Sequence, residues 1–523
     1  MTHLTSRGDF LGMVGSAALA APLAKPLGDR PNIVLIIADQ HRGDALGVAG
    51  SAIVRTPSLD ALAKDGVYFA SAYTTMALCS PARTSMMTGL YPHAHKIVGN
   101  THGAGSVSSE VAPSHPMWSE LLTGVGYDVG YVGKWDIGTL QAGDLEGRPL
   151  PNERGGRHRW TPLDYGFRKA VSAHRPYRTD QLLRVSPLHL ELALEQSGLT
   201  GGPAPFYATV DVAPENSSEA DVADKAIGFL KSYSDSGQRG IGRPFALTVS
   251  WASPHFPNYV PEPYASMYDP VRIEPWPSFG DRFENKPFAN QRLRDAWGVR
   301  GVPWSEWSRI VAHYYAMISH VDAQIGRVIA ELDRLNLADD TIVAYVSDHG
   351  DLTGAHGLFN KGGVPYEEIY HVPLIVRMPK SPAVGTRVDR FVRNMDLMPT
   401  ILEAAGIAVP DHLHARSLMP YLAGNANLDG PDEVFMEFNS DIVGLYASRI
   451  LRTRRFKLVY NIADRNELYD LSADPYELHN VYNVAGYASD RRVLAQRLLA
   501  WMRETNDPAV KPAHVILQDD GAM

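Results

Sequence analysis

Residues Ile33 to Ala38 form an unbroken apolar run, Ile-Val-Leu-Ile-Ile-Ala. A strand with one wet face alternates, whereas a short, uniformly apolar run fits a strand covered on both faces, as in a parallel sheet. Tyr127–Val132, Phe245–Trp251 and Thr341–Val346 read the same way. Each run gives way to polar residues: Asp39-Gln40, Lys134 with Asp136, His255 between Pro254 and Pro257, and Asp348-His349. Open α/β sheets bind ligands at the carboxyl ends of their strands, so Asp39-Gln40 and Asp348-His349 are the first candidate site residues, while Lys134 alone reads as a solvated charge and His255 alone as a structural residue. Between the last two runs, Val311, Tyr314, Ile318, Val321, Ile325, Val328, Ile329 and Leu332 repeat at helical spacing. They predict one long helix over Trp304–Leu335 with a single apolar stripe. Strand, helix and strand in that order predict a doubly wound α/β layer.

Shorter elements are expected elsewhere. A helix is predicted to begin within Thr84–Gly89, and another at Asp396–Thr400, stopping at Gly406. Arg452–Tyr460 and Glu467–Leu471 read as two short strands and a turn, closed by a helix over Val493–Thr505. Gln141 to Arg178 is rich in Pro, Gly and Arg, has no period, and reads as a long solvated loop or insertion. Asn425–Asp432 is polar and reads as a linker. The expected domains are therefore 26–424, a catalytic α/β body, and 425–523, a smaller C-terminal α+β domain. Residues 1–25 are set apart as a probable export signal. Arg7 precedes an apolar stretch from Phe10 to Ala24, with Ala18-Leu19-Ala20 as a small-x-small cleavage site. Ser6-Arg7-Gly8 resembles a twin-arginine signal with glycine in place of the second arginine. The expectation is export to a periplasm or out of the cell.

Composition narrows the function. A length of 523 residues exceeds one small core, which agrees with two domains. The net charge of -9 argues against nucleic acid as a partner. No apolar run is long enough to predict a membrane span. The single cysteine, Cys79, excludes an internal disulfide.

Cys79 lies in Cys79-Ser80-Pro81-Ala82-Arg83-Thr84, followed by Thr88-Gly89. A lone cysteine is either a small buried hydrophobe or a nucleophile. Asp39, Gln40, Asp348 and His349 follow two separate strands, so one sheet edge can gather them around a cation. Arg83, Lys134 and Lys361 add positive charge for a group that gains negative charge during transfer. Asn100, beside Gly99, is either a turn residue or an anion contact.

Cys-x-Pro-x-Arg followed by Thr-Gly resembles the signature of the type I sulfatases, of the alkaline-phosphatase-like superfamily. The likeness continues through Asp39-Gln40, Gly133-Lys134-Trp135, Pro254-His255-Phe256-Pro257, Asp348-His349 and Lys361-Gly362-Gly363, and reaches Asn483. It implies a large, mixed, mostly parallel sheet sandwiched by helices, with a smaller C-terminal domain. It also implies oxidation of Cys79 to formylglycine by a formylglycine-generating enzyme. The hydrated aldehyde would attack sulfur, expel an alcohol protonated by His255, and pass through a covalent sulfo-enzyme intermediate. Arg83 and Lys134 would be catalytic, and Lys361 and Asn100 would bind substrate. Asp39, Gln40, Cys79, Asp348 and His349 would hold one divalent metal. Calcium is the family's usual ion, while a histidine ligand leaves room for manganese or magnesium. The implied substrate is a sulfated small molecule or carbohydrate. Two positions depart from the pattern: Gln40 replaces an aspartate, and Asp136 replaces a histidine that reaches the sulfate. A phosphonate- or phosphodiester hydrolase of the same superfamily and a catalytically silent anion-binding homologue are the alternatives.

Overall fold

Eight strands share one sheet in the computed structural model, which describes residues 29–101, 110–137, 169–171, 177–190, 204–425, 430–440 and 445–519. In chain order they are β1 (Asn32–Ala38), β2 (Val67–Phe69), β3 (Asp128–Gly133), β4 (Lys169–Val171), β5 (Phe245–Trp251), β6 (Thr341–Ser347), β7 (Leu374–Arg377) and β8 (Thr386–Val388). Across the sheet the order is β8-β2-β7-β6-β1-β5-β3-β4. The central strand β1 runs parallel to β5 and β6, and β3 and β4 continue the parallel array. Only β7 runs against its neighbours. The four long apolar runs are thus four adjacent strands at the centre, and the sheet is mostly parallel as expected.

Alternate residues of β1 face two different cores. Ile33, Leu35 and Ile37 pack with Met86, Trp118, Leu397 and Ile401. Val34, Ile36 and Ala38 pack with Val222, Leu230, Val321 and Ile325. The helices behind these contacts are α1 (Cys79–Thr88), α2 (Trp118–Gly124) and α5 (Leu397–Ala404) on one face, with α3 (Ser218–Asp235) and α4 (Trp304–Arg334) on the other. Each fully buried aliphatic side chain contributes about 1.5–3 kcal/mol, so a run with no polar residue is stable only with both faces covered.

Three expectations need correction. Helix α1 starts at Cys79, five residues before the predicted start, because Pro81 sits in its first turn. A first-turn residue has no intrahelical acceptor for its N–H, so proline there costs no hydrogen bond. Within the stretch read as a loop, Lys169–Val171 forms the edge strand β4. Of the rest, residues 141–168 and 172–176 lie outside the described residues, as does the expected export signal. Finally, Arg452–Tyr460 is a hairpin rather than one strand. It joins β10 (Tyr446–Thr453) to β11 (Phe456–Asn461), between β9 (Glu433–Ser440) and β12 (Glu467–Asp470), in one antiparallel sheet.

This second sheet packs its two faces differently. Leu451, Leu458 and Leu468 meet Leu498 and Trp501 of α6 (Ala488–Glu504). Val434, Met436, Ile450 and Val459 instead pack with Phe359, Tyr366 and Tyr370 from the loops below β6. A buried polar network joins the layers as well. Arg449 pairs with Asp507, Nη2 to Oδ1 at 2.9 Å, and lies 4.0 Å from Glu437, which accepts from His93 Nδ1 at 2.5 Å. Among the described residues, no helix is long and apolar enough to cross a membrane.

Two outcomes follow. Arg449→Met strands Asp507 without its buried guanidinium partner and is expected to lower unfolding free energy by about 3–5 kcal/mol, read by urea denaturation. Burial disfavours the His93 imidazolium, but the adjacent Glu437 charge overrides this and raises its pKa. Its stabilisation is therefore complete below the ordinary imidazole value of about 6.5 and fades as pH rises through the elevated one. The stability gap between wild type and His93→Gln should shrink from pH 6 to pH 9.

Candidate active site

The carboxyl ends of β1, β6, β5 and β3 converge on the first residue of α1. Leu78 caps this helix in an extended conformation, and Cys79 follows with its side chain buried against the strand ends. Gly89, at φ 70°, terminates the helix in the left-handed region, where glycine is least strained. All ten residues of α1 are buried; Thr84 and Thr88 donate to the carbonyls of Ser80 and Thr84 within the helix, while the Ser80 and Ser85 hydroxyls bond Thr101 and His95 outside it. The side-chain Oδ1 of Asn100 accepts the Ser80 N–H at 3.2 Å, so Asn100 braces the first turn of the helix. At the end of β3, Gly133 has φ 99°, and a Cβ there would lie 1.9 Å from the Ser250 carbonyl. Only glycine lets the chain turn there and deliver Lys134 to the site.

Arg83 holds the centre together. Its Nε donates to Asp348 Oδ2 at 2.8 Å and its Nη2 to Asp39 Oδ2 at 3.1 Å. Nη1 donates to Ser250 Oγ at 2.8 Å and to the Lys134 carbonyl at 3.1 Å. With both Oδ2 atoms committed, each carboxylate turns its Oδ1 toward His349 Nε2, at 3.8 Å in both cases. His349 Nδ1 donates to the Gly350 carbonyl at 2.9 Å, which leaves Nε2 as the free lone pair. Burial, then the nearby Lys361 charge, holds that imidazole well below its usual pKa and therefore neutral. Cys79 Sγ completes the group, 3.3 Å from His349 Nε2 and 3.9 Å from Asp39 Oδ1.

This donor set fits a divalent cation. Ligand atoms of Asp39, Cys79, Asp348 and His349 all lie within 4.8 Å of one another, and every one of these residues is buried. Burial first, then the charge of Asp39, pushes Asp348 up to about 7 despite Arg83. Arg83 and Lys134 both bind through Oδ2 oxygens, and a cation facing the Oδ1 oxygens would relieve the remaining repulsion between the two carboxylates. Carboxylate oxygens are the ligands of hard cations, and a neutral imidazole is compatible with manganese or magnesium too.

A second group flanks the first. Lys134 Nζ donates to Asp39 Oδ2 at 2.5 Å and lies 3.8 Å from Cys79 Sγ. Burial would raise the Asp39 carboxyl, but the charges of Lys134 and Arg83 hold it well below the carboxylate range. Lys361 Nζ reaches Gln40 Oε1 at 2.7 Å and His255 Nε2 at 3.0 Å. His255 Nδ1 donates to the Phe256 carbonyl at 2.6 Å, so Nε2 accepts from Lys361 and the ring is neutral. The Gln40 amide also donates to Asp351. Gln40 therefore gives its oxygen to Lys361 and its nitrogen to an acid.

The structure brings together the sequence-predicted residues Asp39, Gln40, Cys79, Arg83, Lys134, His255, Asp348, His349 and Lys361, while Asn100, expected as a substrate contact or a turn residue, has its Oδ1 on the Ser80 N–H. Sequence reasoning missed Ser250, Asp351 and Asn394, whose amide donates to the Asp348 carbonyl at 3.3 Å. Asp351 and Ser250 were legible only as polar residues at strand ends; Asn394 carries no local signal.

Comparison with known proteins identifies the family. The Sulfatase family model matches residues 31–407, and the model for the C-terminal region of N-sulphoglucosamine sulphohydrolase matches residues 354–504. The uncharacterized sulfatase YidJ of Escherichia coli (strain K12) is 29% identical over 92% of this chain and 88% of its own length. The N-acetylglucosamine-6-O-sulfatase of Bacteroides thetaiotaomicron is 26% identical, covering 95% of this chain and 91% of its own. The crystal structure of phosphonate monoester hydrolase of Agrobacterium radiobacter superposes with a TM-score of 0.72 at 28% identity, over 91% of this chain and 96% of that one. With the family model spanning well over half of its length, the chain belongs to the sulfatase family and is a sulfuric ester hydrolase.

Proposed function

We propose that this enzyme hydrolyses a sulfate monoester with a nucleophile made from Cys79 by oxidation to formylglycine. One observation carries the reading. Cys79 stands at the head of a buried helix, within 4 Å of Asp39, His349 and Lys134, yet its thiol is poorly suited to ionise there. Burial, then the Asp39 charge, pushes that thiol up to about 12. A cysteine is a nucleophile only as a thiolate, so the surroundings serve a different group at this position. A hydrated aldehyde supplies an oxygen nucleophile and a second hydroxyl through which the aldehyde is regenerated.

The remaining roles follow from the contacts. Asp39, Asp348 and His349 would hold the divalent cation, with Gln40 at its margin and Cys79 facing it. When bound, that cation supplies Lewis-acid polarisation and lowers the pKa of a nearby hydroxyl. Arg83 fixes both carboxylates and adds fixed positive charge. Lys134 and Lys361 place ammonium groups where the transferred group gains charge. His255, paired with Lys361, receives a proton from it and delivers that proton to the departing alcohol. Asn100 holds the helix head in register. A sulfated carbohydrate is the favoured substrate, because a relative named for N-acetylglucosamine-6-O-sulfate covers nearly the full chain. We assign catalysis to residues 26–424 and a supporting role to 425–523. Export accounts for the apolar N-terminal segment, and a formylglycine-generating enzyme would mature Cys79.

A second reading, phosphonate monoester hydrolysis, draws on His349 in the donor set and on the likeness to a hydrolase of that name. The two separate in one assay. Matured enzyme should turn over p-nitrophenyl sulfate with higher kcat/KM than p-nitrophenyl phenylphosphonate, and Cys79→Ala should lose at least about 10³-fold on the sulfate. Faster phosphonate turnover would favour the second reading, and retained activity in Cys79→Ala would exclude a covalent role for that residue. Calcium at about 100 times its Kd should stabilise the wild type by about 2.7 kcal/mol, seen as a thermal shift that EDTA reverses and Asp348→Asn abolishes.

A further inference from the structure

Asp136 is a charged residue within the site that the roles above leave unused. The backbone turns there at φ 56°, in the left-handed region that aspartate tolerates better than most residues. The turn sends the carboxylate back toward the nucleophile: Oδ2 lies 3.4 Å from Lys134 Nζ, with the side chain 5% exposed. Lys134 is thus held between two acids, Asp39 on the cation side and Asp136 on the other. Its ammonium is also 3.8 Å from Cys79 Sγ, so Asp136 stands one side chain away from the reacting position. The Asp136 charge bears on Lys134, on Cys79 and on Arg83. A tetrahedral anion seated between Lys134 and Cys79 must share Lys134 with Asp136 and feel its charge at close range.

Repulsion between fixed charges scales with the charge of the guest. A sulfate monoester carries one negative charge, whereas a phosphate monoester above its second pKa of about 6 carries two. Inorganic sulfate, the product, also carries two. We propose that Asp136 acts as a charge filter, admitting singly charged esters, rejecting doubly charged ones, and driving out the doubly charged product. This rests on the sulfatase reading of the same site. It also gives a physical purpose to an acid where the family pattern has a histidine: discrimination and product release at the expense of ground-state anion affinity.

The test uses isosteric anions that differ in charge. Inorganic sulfate and perchlorate are both tetrahedral, with two charges and one. Each is titrated calorimetrically into metal-loaded wild type, Asp136→Asn and Asp136→Glu. With an effective dielectric near 20 and a separation of about 6 Å, one extra charge changes affinity by about 10- to 100-fold. Asp136→Asn should therefore bind perchlorate about 10- to 100-fold more tightly and sulfate by about the square of that factor, so the sulfate-to-perchlorate affinity ratio rises about 10- to 100-fold, while Asp136→Glu keeps the wild-type ratio. In turnover, the kcat/KM ratio of p-nitrophenyl phosphate to p-nitrophenyl sulfate at pH 8 should rise by the same factor in Asp136→Asn. Equal changes for both anions, or an unchanged sulfate affinity, would overturn the filter. If Asp136→Asn does not fold, the smaller neutral Asp136→Ser is read by the same criteria. The binding arm needs no turnover, so it judges the filter even if the wild type hydrolyses no sulfate ester; that failure would instead strike the parent reading.

Discussion

One guanidinium joins the parts of this site. Arg83 leaves the second turn of a buried helix and bonds carboxylates that follow two neighbouring strands, 44 and 265 residues away in sequence. By taking Oδ2 from each, it leaves two oxygens and a neutral imidazole nitrogen facing the same small space as Cys79. Buried acids this close repel, and a buried charge without its partner typically costs 3–5 kcal/mol. The arrangement therefore requires Arg83 together with Lys134, and it leaves the Oδ1 oxygens and the imidazole facing a space that fits a cation beside the cysteine. Strand ends, helix head and ligand set are in this sense one structure.

The far side of the site is held by the second sheet. Lys361 lies in a segment whose next residues are gripped from the C-terminal part of the chain: Lys457 donates to the Pro365 carbonyl at 2.8 Å and pairs with Glu367 and Glu477. Tyr446 stands so close to Gly363 that a Cβ there would clash at 2.6 Å. The antiparallel sheet is thus more than an appendage. It positions the ammonium that contacts Gln40 and His255, so the two parts of the chain share one functional site.

Much of this was legible in the residues. The short, mostly apolar runs suit strands buried on both faces, and in a parallel sheet their polar ends meet along one edge. That reasoning gathers Asp39, Gln40, Asp348 and His349, whereas Lys134 and His255 stand out only through the resemblance to the sulfatase pattern. The start of the cysteine helix was not legible, because proline reads as a breaker unless it is known to lie in a first turn. The hairpin within Arg452–Tyr460 was hidden by a tight turn of two arginines, Arg454-Arg455, which carry no turn signal. Ser250, Asp351 and Asn394 act through hydrogen bonds to residues up to 311 positions away, and periodicity carries no information about such pairings. Asp136 stood out only as a departure; its distance from Lys134 gives that departure a physical meaning.

The central claim is the chemical state of residue 79 in active enzyme. Peptide mass spectrometry on natively expressed, catalytically active protein reads it directly. The account predicts that the peptide spanning Cys79 is lighter by about 18 Da than its cysteine form, the change from thiol to aldehyde. An intact, alkylatable thiol at position 79 in fully active enzyme would contradict it.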